Sequence, residues 1–192
     1  MHPSQSGIRR FQSDVWPLMS EQFAALANGQ SPHTLVITCS DSRVDPSLIT
    51  QSQPGELFVL RNAGNLVPKF GADDGSAAAV EYAVDALRVA HIVVCGHSGC
   101  GAMQGLLDPQ AVRQLPTVAR WVAHAASTRE ATSQLRGEAR LDAAIMHNTT
   151  AQLDNLAGHP SVARAMAEGR LQLHAWVYDI RDGDIDDIDT RT

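Results

Sequence analysis

Residues 91–101 read HIVVCGHSGCG. The opening HIVVC is a short, largely apolar run rich in β-branched residues, the composition of a strand buried on both faces. The GHSGCG that follows packs three glycines, a histidine and a second cysteine into six residues. In parallel sheets, ligands gather beyond the carboxyl ends of the strands. A loop of this composition after a buried strand is therefore a candidate site. Three chemistries fit it at first sight: a phosphate cradle, a redox pair, or half of a metal site.

The flanking sequence supplies the rest of the sheet. TLVITC (34–39), bounded by Pro32, and ELFVLR (56–61), after Pro54-Gly55, read as two more buried strands. Residues 76–90 have helical period, with Val80, Ala83, Val84 and Leu87 on one face. Helices are expected at 102–107, 116–127, 137–157 and 161–168, the last stopped by Gly169. LQLHAWVYDI (171–180) alternates as a fourth strand, and RDGD turns the chain into a short fifth, IDDI. At the other end, residues 14–27 form an amphipathic helix that stops at Asn28-Gly29. Strands separated by helices give an α/β fold. The expectation is a mainly parallel central sheet of four strands plus a short C-terminal fifth strand, flanked by helices, with an N-terminal helical arm. Residues 1–192 make a single domain, with 1–30 as the arm and 31–192 as the α/β core.

Composition narrows the function. The chain has 192 residues, enough for one domain with a real core. Its net charge of −6 and its 15 scattered Lys and Arg argue against a nucleic-acid surface. No apolar stretch approaches the roughly 20 residues of a bilayer span. MHPSQSGIRRFQSD lacks the apolar core of a signal peptide, so the expected compartment is the cytoplasm. Three cysteines, an odd and low number, do not suit a disulfide framework.

A second loop follows the 34–39 strand and reads Cys39-Ser40-Asp41-Ser42-Arg43. Together with His97 and Cys100 it offers two thiols and an imidazole, zinc's preferred donors. Three protein ligands with an open position make a catalytic site; four make a structural one. Asp41 could be the fourth, but Arg43 offers it a bidentate partner that would leave it a hydrogen-bond acceptor. As a phosphate loop, GHSGCG lacks the Lys-Ser/Thr of a P-loop, and its spacing does not match GxGxxG. Cys95 and Cys100 are not in a C-x-x-C arrangement, and Cys95, ending a buried strand, reads as core. Asp41 and Arg43 also read equally well as a structural ion pair.

CSDSR after the first strand and GHSGCG after the third resemble the β-class carbonic anhydrases. The likeness extends to PGELFVLRNAGNLVP (54–68), EYAV (81–84) and WVYDI (176–180), and covers roughly residues 14 to 185. It implies a zinc lyase that catalyses CO2 + H2O ⇌ HCO3⁻ + H⁺, with one zinc per subunit. Cys39, His97 and Cys100 match the metal ligands. Asp41 and Arg43 match the catalytic dyad, in which Asp41 accepts a hydrogen bond from zinc-bound water or hydroxide. Gln30, Phe58, Ala63 and Tyr82 match the lining of a narrow substrate pocket across a dimer interface, and the Gly101 N–H would hold bicarbonate. The arm would embrace a second subunit in a homodimer or homotetramer. Some members have an inactive state in which the Asp binds zinc, with a bicarbonate pocket of Trp, Arg and Tyr nearby. Arg61 and Tyr178 match that pocket but Val36 stands at the Trp position, so it is incomplete and the open site is expected at neutral pH. The same scaffold also hydrolyses carbon disulfide or carbonyl sulfide in some relatives, and a non-catalytic zinc module with Asp41 as fourth ligand is a rival of another class. No proton shuttle is assigned among His33, His91, His124, His147, His159 and His174.

Overall fold

The computed structural model describes residues 4–71 and 75–192. They fall into two compact units, one up to Ser31 and one over Pro32–Thr192.

The first unit is a continuous helical run: α1 (Ser4–Arg10), a π-helical turn (Phe11–Val15) and α2 (Trp16–Leu26). Helix therefore begins well before the expected residue 14. Residues 4–13 carry no apolar stripe, so there was no period to read. The first three residues of the expected arm lie outside the described ones. None of these helical residues is buried. The Trp16 ring sits 5.0 Å from Phe23 and 6.1 Å from Phe11.

The second unit is built on five strands: β1 (Thr34–Cys39), β2 (Leu57–Asn62), β3 (His91–His97), β4 (Gln172–Tyr178) and β5 (Ile185–Arg191). Their order is β2-β1-β3-β4-β5. The first four are parallel, and β5 runs antiparallel on β4. The fifth strand is longer than IDDI alone, because the pairing continues through His174 and Thr190 past a register shift at Ala175/Trp176. Every residue of β1 is buried, as its unbroken apolar run implied. From β1 the chain goes to β2 on one side, then returns to β3 on the other. The loops after β1 and β3 therefore diverge, and a crevice opens between them.

Helices α4 (Gly75–Glu81), α8 (Gly137–Ala157) and α9 (Pro160–Ala167) accompany the sheet. Val80, Leu153, Leu156 and Val162 from these helices form one core with Leu35, Ile37, Ile92, Val94, Leu173 and Ala175. The expected 76–90 helix stops sooner. A π turn over Tyr82–Ala86 ends it, and Arg88 takes a left-handed φ of 60° that leads into β3. The 137–157 helix has the bounds expected of it. It lies close on β3: a Cβ at Gly96 would meet Thr149 Oγ1 at 2.3 Å. The 116–127 helix is a broken run of α6 (Pro116–Val122), a 3-10 turn (Ala123–Ala125) and α7 (Ala126–Ala131), preceded by α5 (Gly101–Leu107). A short helix, α3 (Pro46–Thr50), was not expected. Asp45 caps it by accepting from the Ser47 and Leu48 N–H groups at 3.1 Å each, with Pro46 at the first position.

Candidate metal centre

The crevice holds the three residues that the two loops offered. β1 ends on Cys39, β3 ends on His97, and Cys100 precedes the first turn of α5. Parallel pairing sets Thr38 opposite Cys95, which brings the two strand ends level. The donor atoms of Cys39, His97 and Cys100 all lie within 4.8 Å of one another, and all three residues are buried. Donor atoms around a tetrahedral zinc stand roughly 3.5–4 Å apart, so the cluster already has close to the required size.

His97 is poised to bind a cation. Its Nδ1 lies 3.0 Å from the Ser98 carbonyl, which can only accept, so Nδ1 carries the proton and Nε2 the lone pair. Nε2 is buried and has no hydrogen-bond partner. A buried nitrogen lone pair beside two thiols is costly unless a metal takes it. The thiols share a proton. The Cys100 thiol donates to Cys39 and holds it well below its ordinary value against the opposing effect of burial; the Gly64 N–H adds to the lowering. The same bond, with burial, pushes Cys100 up. These opposite shifts describe one S–H···S⁻ pair, and a cation that binds both sulfurs displaces its remaining proton. The orphaned nitrogen, the spacing and the S/S/N donor set all fit zinc.

Asp41 stands beside this group with its oxygens already committed. Its Oδ1 accepts from the Arg43 Nε at 2.9 Å and from the Arg43 backbone N–H at 3.0 Å; its Oδ2 accepts from the Arg43 Nη2 at 2.8 Å. The Arg43 guanidinium keeps the carboxyl far below the usual carboxylate range. Oδ2 also lies 3.9 Å from His97 Nε2. Asp41 is thus an ionised acceptor at the edge of the metal centre. Arg61 fixes this loop by donating to the Cys39 carbonyl at 3.1 Å and to the Asp41 carbonyl at 2.7 Å.

The comparisons with known proteins agree with this geometry. A family model described as carbonic anhydrase matches residues 34–185. A carbonic anhydrase of Pseudomonas aeruginosa is 54% identical over 187 residues, covering 95% of this chain and 85% of that protein. The solved structure of the β-carbonic anhydrase CcaA superposes with a TM-score of 0.91 at 44% identity, covering 94% of this chain and 90% of that one. This chain belongs to the β-carbonic anhydrase family. One of two tetrameric β-carbonic anhydrases from the ascomycete Sordaria macrospora superposes with a TM-score of 0.87 at 30% identity, over 100% of this chain and 98% of that one.

The other residues picked out for their likeness to β-carbonic anhydrases are dispersed. Phe58 and Tyr82 come together, with ring centroids 5.9 Å apart. Phe58 stands opposite Leu35, however, four residues or roughly 13 Å back along β2 from Asn62, which pairs with Cys39. Gly101 opens α5 next to Cys100, and Ala63 lies in the turn after β2. Gln30 is exposed in the other unit, after α2. Val36 and Tyr178 pack in one small cluster with Cys95, whose thiol burial pushes up to about 11. Cys95 is core, as expected, although β3 runs two residues past it to His97. Two contributors escaped the sequence reading. The Gly64 N–H points at the Cys39 Sγ, 3.4 Å away, and the Ser98 carbonyl orients His97. Gly64-Asn65, a turn dipeptide directly after a strand, was the only signal for the first; both residues take positive φ, 84° and 50°.

Proposed function

We propose that this chain is a zinc-dependent carbonic anhydrase that interconverts CO2 and bicarbonate. The observation that carries the proposal is the buried Cys39–His97–Cys100 group with the Arg43-held carboxylate of Asp41 at its edge. Zinc, when bound, supplies a Lewis acid that makes water nucleophilic near neutral pH. Cys39, His97 and Cys100 hold it. Asp41, ionised and able only to accept, takes a hydrogen bond from the reacting water and so turns the oxygen lone pair towards the carbon of CO2. Arg43 keeps Asp41 in that role by occupying both its oxygens from the far side. This arrangement supports a metal site open to water and disfavours Asp41 as a fourth ligand. It also fits the incomplete Val36–Arg61–Tyr178 pocket, in which Arg61 is already engaged with two carbonyls of the Asp41 loop.

Gln30 is proposed to donate to a substrate oxygen, Phe58 and Tyr82 to form the apolar wall, Ala63 to line the pocket, and the Gly101 N–H to hold bicarbonate. Phe58 lies well back from its own chain's Cys39, which suits a pocket completed across subunits. The exposed apolar residues of the helical run, among them Trp16 at 41% and Leu18 at 86%, favour an arm that covers a second copy in a dimer or tetramer. Three cysteines free of disulfides suit the reducing cytoplasm and a role in carbon use there.

Stopped-flow CO2 hydration tests the reading. The zinc-loaded chain turns over CO2, and Asp41→Asn retains zinc while kcat falls roughly 10²-fold or more. Bound zinc with no turnover in the unaltered chain leaves only a structural zinc module. Unchanged kcat in Asp41→Asn removes Asp41 from the mechanism.

A further inference from the structure

The turn after β2 is held from outside at each of its peptides. Asn62 closes it, accepting from the Leu66 N–H and donating to the Leu66 carbonyl, both at 2.8 Å. From α8, the Asn148 amide donates to the Gly64 carbonyl at 3.1 Å, and Gln152 accepts from the Val67 N–H at 2.8 Å. The Gln152 amide donates in turn to Asn148 Oδ1 at 2.9 Å, which fixes how the Asn148 amide is turned. Asn148 and Gln152 are 1% and 2% exposed, so this is a buried and fully engaged polar row.

Within that turn, one peptide links a side chain on the far side to the metal centre. The Trp121 indole Nε1 of α6 donates to the Ala63 carbonyl at 2.8 Å. The N–H of the same peptide unit belongs to Gly64 and points the opposite way, as a trans peptide requires. It donates to the Cys39 Sγ at 3.4 Å. Only glycine suits this position. Its φ is +84°, and a Cβ would lie 2.9 Å from Ala102 Cβ on α5. Donation to a carbonyl polarises the amide and strengthens the bond made by its N–H.

We propose that Trp121 is a positioning residue for the metal-binding sulfur of Cys39, acting through the Ala63–Gly64 peptide. The indole N–H polarises that peptide and aims its N–H at Sγ, which draws negative charge off the thiolate and steadies it as a ligand. The inference rests on Cys39 being a zinc ligand, as proposed above.

The test loads the full chain with Co2+ in place of zinc and records the sulfur-to-cobalt charge-transfer band. The band must appear in the unaltered chain and lose at least half its intensity in Cys39→Ser, where Cys100 is the one sulfur left; an unchanged band there removes the ligand assignment itself, before Trp121 is at issue. Trp121→Phe keeps a ring against the apolar cluster to which Leu66 and Met103 belong but has no N–H to give. The band is expected to move to lower energy and metal loss to a chelator to quicken roughly 10-fold, with the thermal melt little changed. An unmoved band in folded Trp121→Phe overturns the proposal. If that variant does not fold, the unaltered chain loaded with 113Cd2+ decides: a scalar coupling between 113Cd and the Gly64 amide proton is expected across the N–H···S bond, and its absence overturns the proposal.

Discussion

Replacing Gly96 by alanine tests the contact that sets α8 on β3. The new Cβ would fall 2.3 Å from Thr149 Oγ1 and 3.3 Å from Ile145 Cγ2. Thr149 is fully buried and its hydroxyl donates to the Ile145 carbonyl at 2.8 Å, so it cannot swing aside without losing that bond. Overpacking of this kind costs about 1–3 kcal/mol, and a buried hydrogen bond adds about 1 kcal/mol. We expect a loss of about 3 kcal/mol, which for a chain of this size lowers Tm by about 6–12 °C. Urea and thermal unfolding at fixed protein and zinc concentrations measure it. Thr149→Ala removes the offending oxygen and leaves the Thr149 Cβ 3.6 Å away, an ordinary contact. The double variant should therefore recover most of the loss, a coupling of about 2 kcal/mol. A Gly96→Ala chain within about 0.5 kcal/mol of the unaltered one, or a double variant with no recovery, would refute the packing argument.

Three further outcomes are expected. Cys39→Ser should bring zinc content, read by elemental analysis of the purified chain, from about one per subunit to near none. His174 lies in β4 with its Nε2 3.2 Å from the His91 Nδ1 and its Nδ1 3.2 Å from the Thr190 hydroxyl; burial, then His91, lowers its pKa, and Asp187 opposes. Its folded value is below its unfolded one of about 6.5, so the unfolded chain takes up the proton first. Stability should then fall as pH drops below about 6.5, and His174→Gln should flatten that part of the pH profile in urea titrations; an unchanged slope contradicts it. Trp16→Ala combined with Phe23→Ala should lower the molar mass seen by light scattering, since these rings are proposed to cover a second copy, while leaving the Cys39–His97–Cys100 group able to bind Co2+.

Much of this molecule could be read from the chain because its key signals are local. β1 is an unbroken apolar run between a proline and a polar loop, so it showed its full extent. The 137–157 helix is flanked by turn residues and showed the same. The candidate metal ligands stood out as rare residue types at two strand ends, and the strand order makes those ends neighbours. What stayed hidden depends on partners distant in sequence. The Gly64 N–H is a backbone group whose target lies 25 residues upstream and whose polarising indole lies 57 residues downstream. The helical run over residues 4–13 has no apolar stripe and so no pattern. The helix after Asp45 was announced by Asp-Pro, but five residues give no period to support that cue. Phe58 and Tyr82, 24 residues apart, meet as rings on β2 and on the π turn, a contact no local pattern announces.

The split origin of the metal centre also sets its exchange kinetics. Cys39 and His97 are brought together by the pairing of β1 with β3, and the three donors are 0–6% exposed. Arg61 adds two hydrogen bonds to the loop beside them, to the Cys39 and Asp41 carbonyls. We expect release of a bound zinc ion to need local opening there, so that its rate counts openings, as amide exchange does for a strand. The ion's residence time would then report on the free energy of that opening and respond to changes at Arg61, which contacts the loop through two carbonyls.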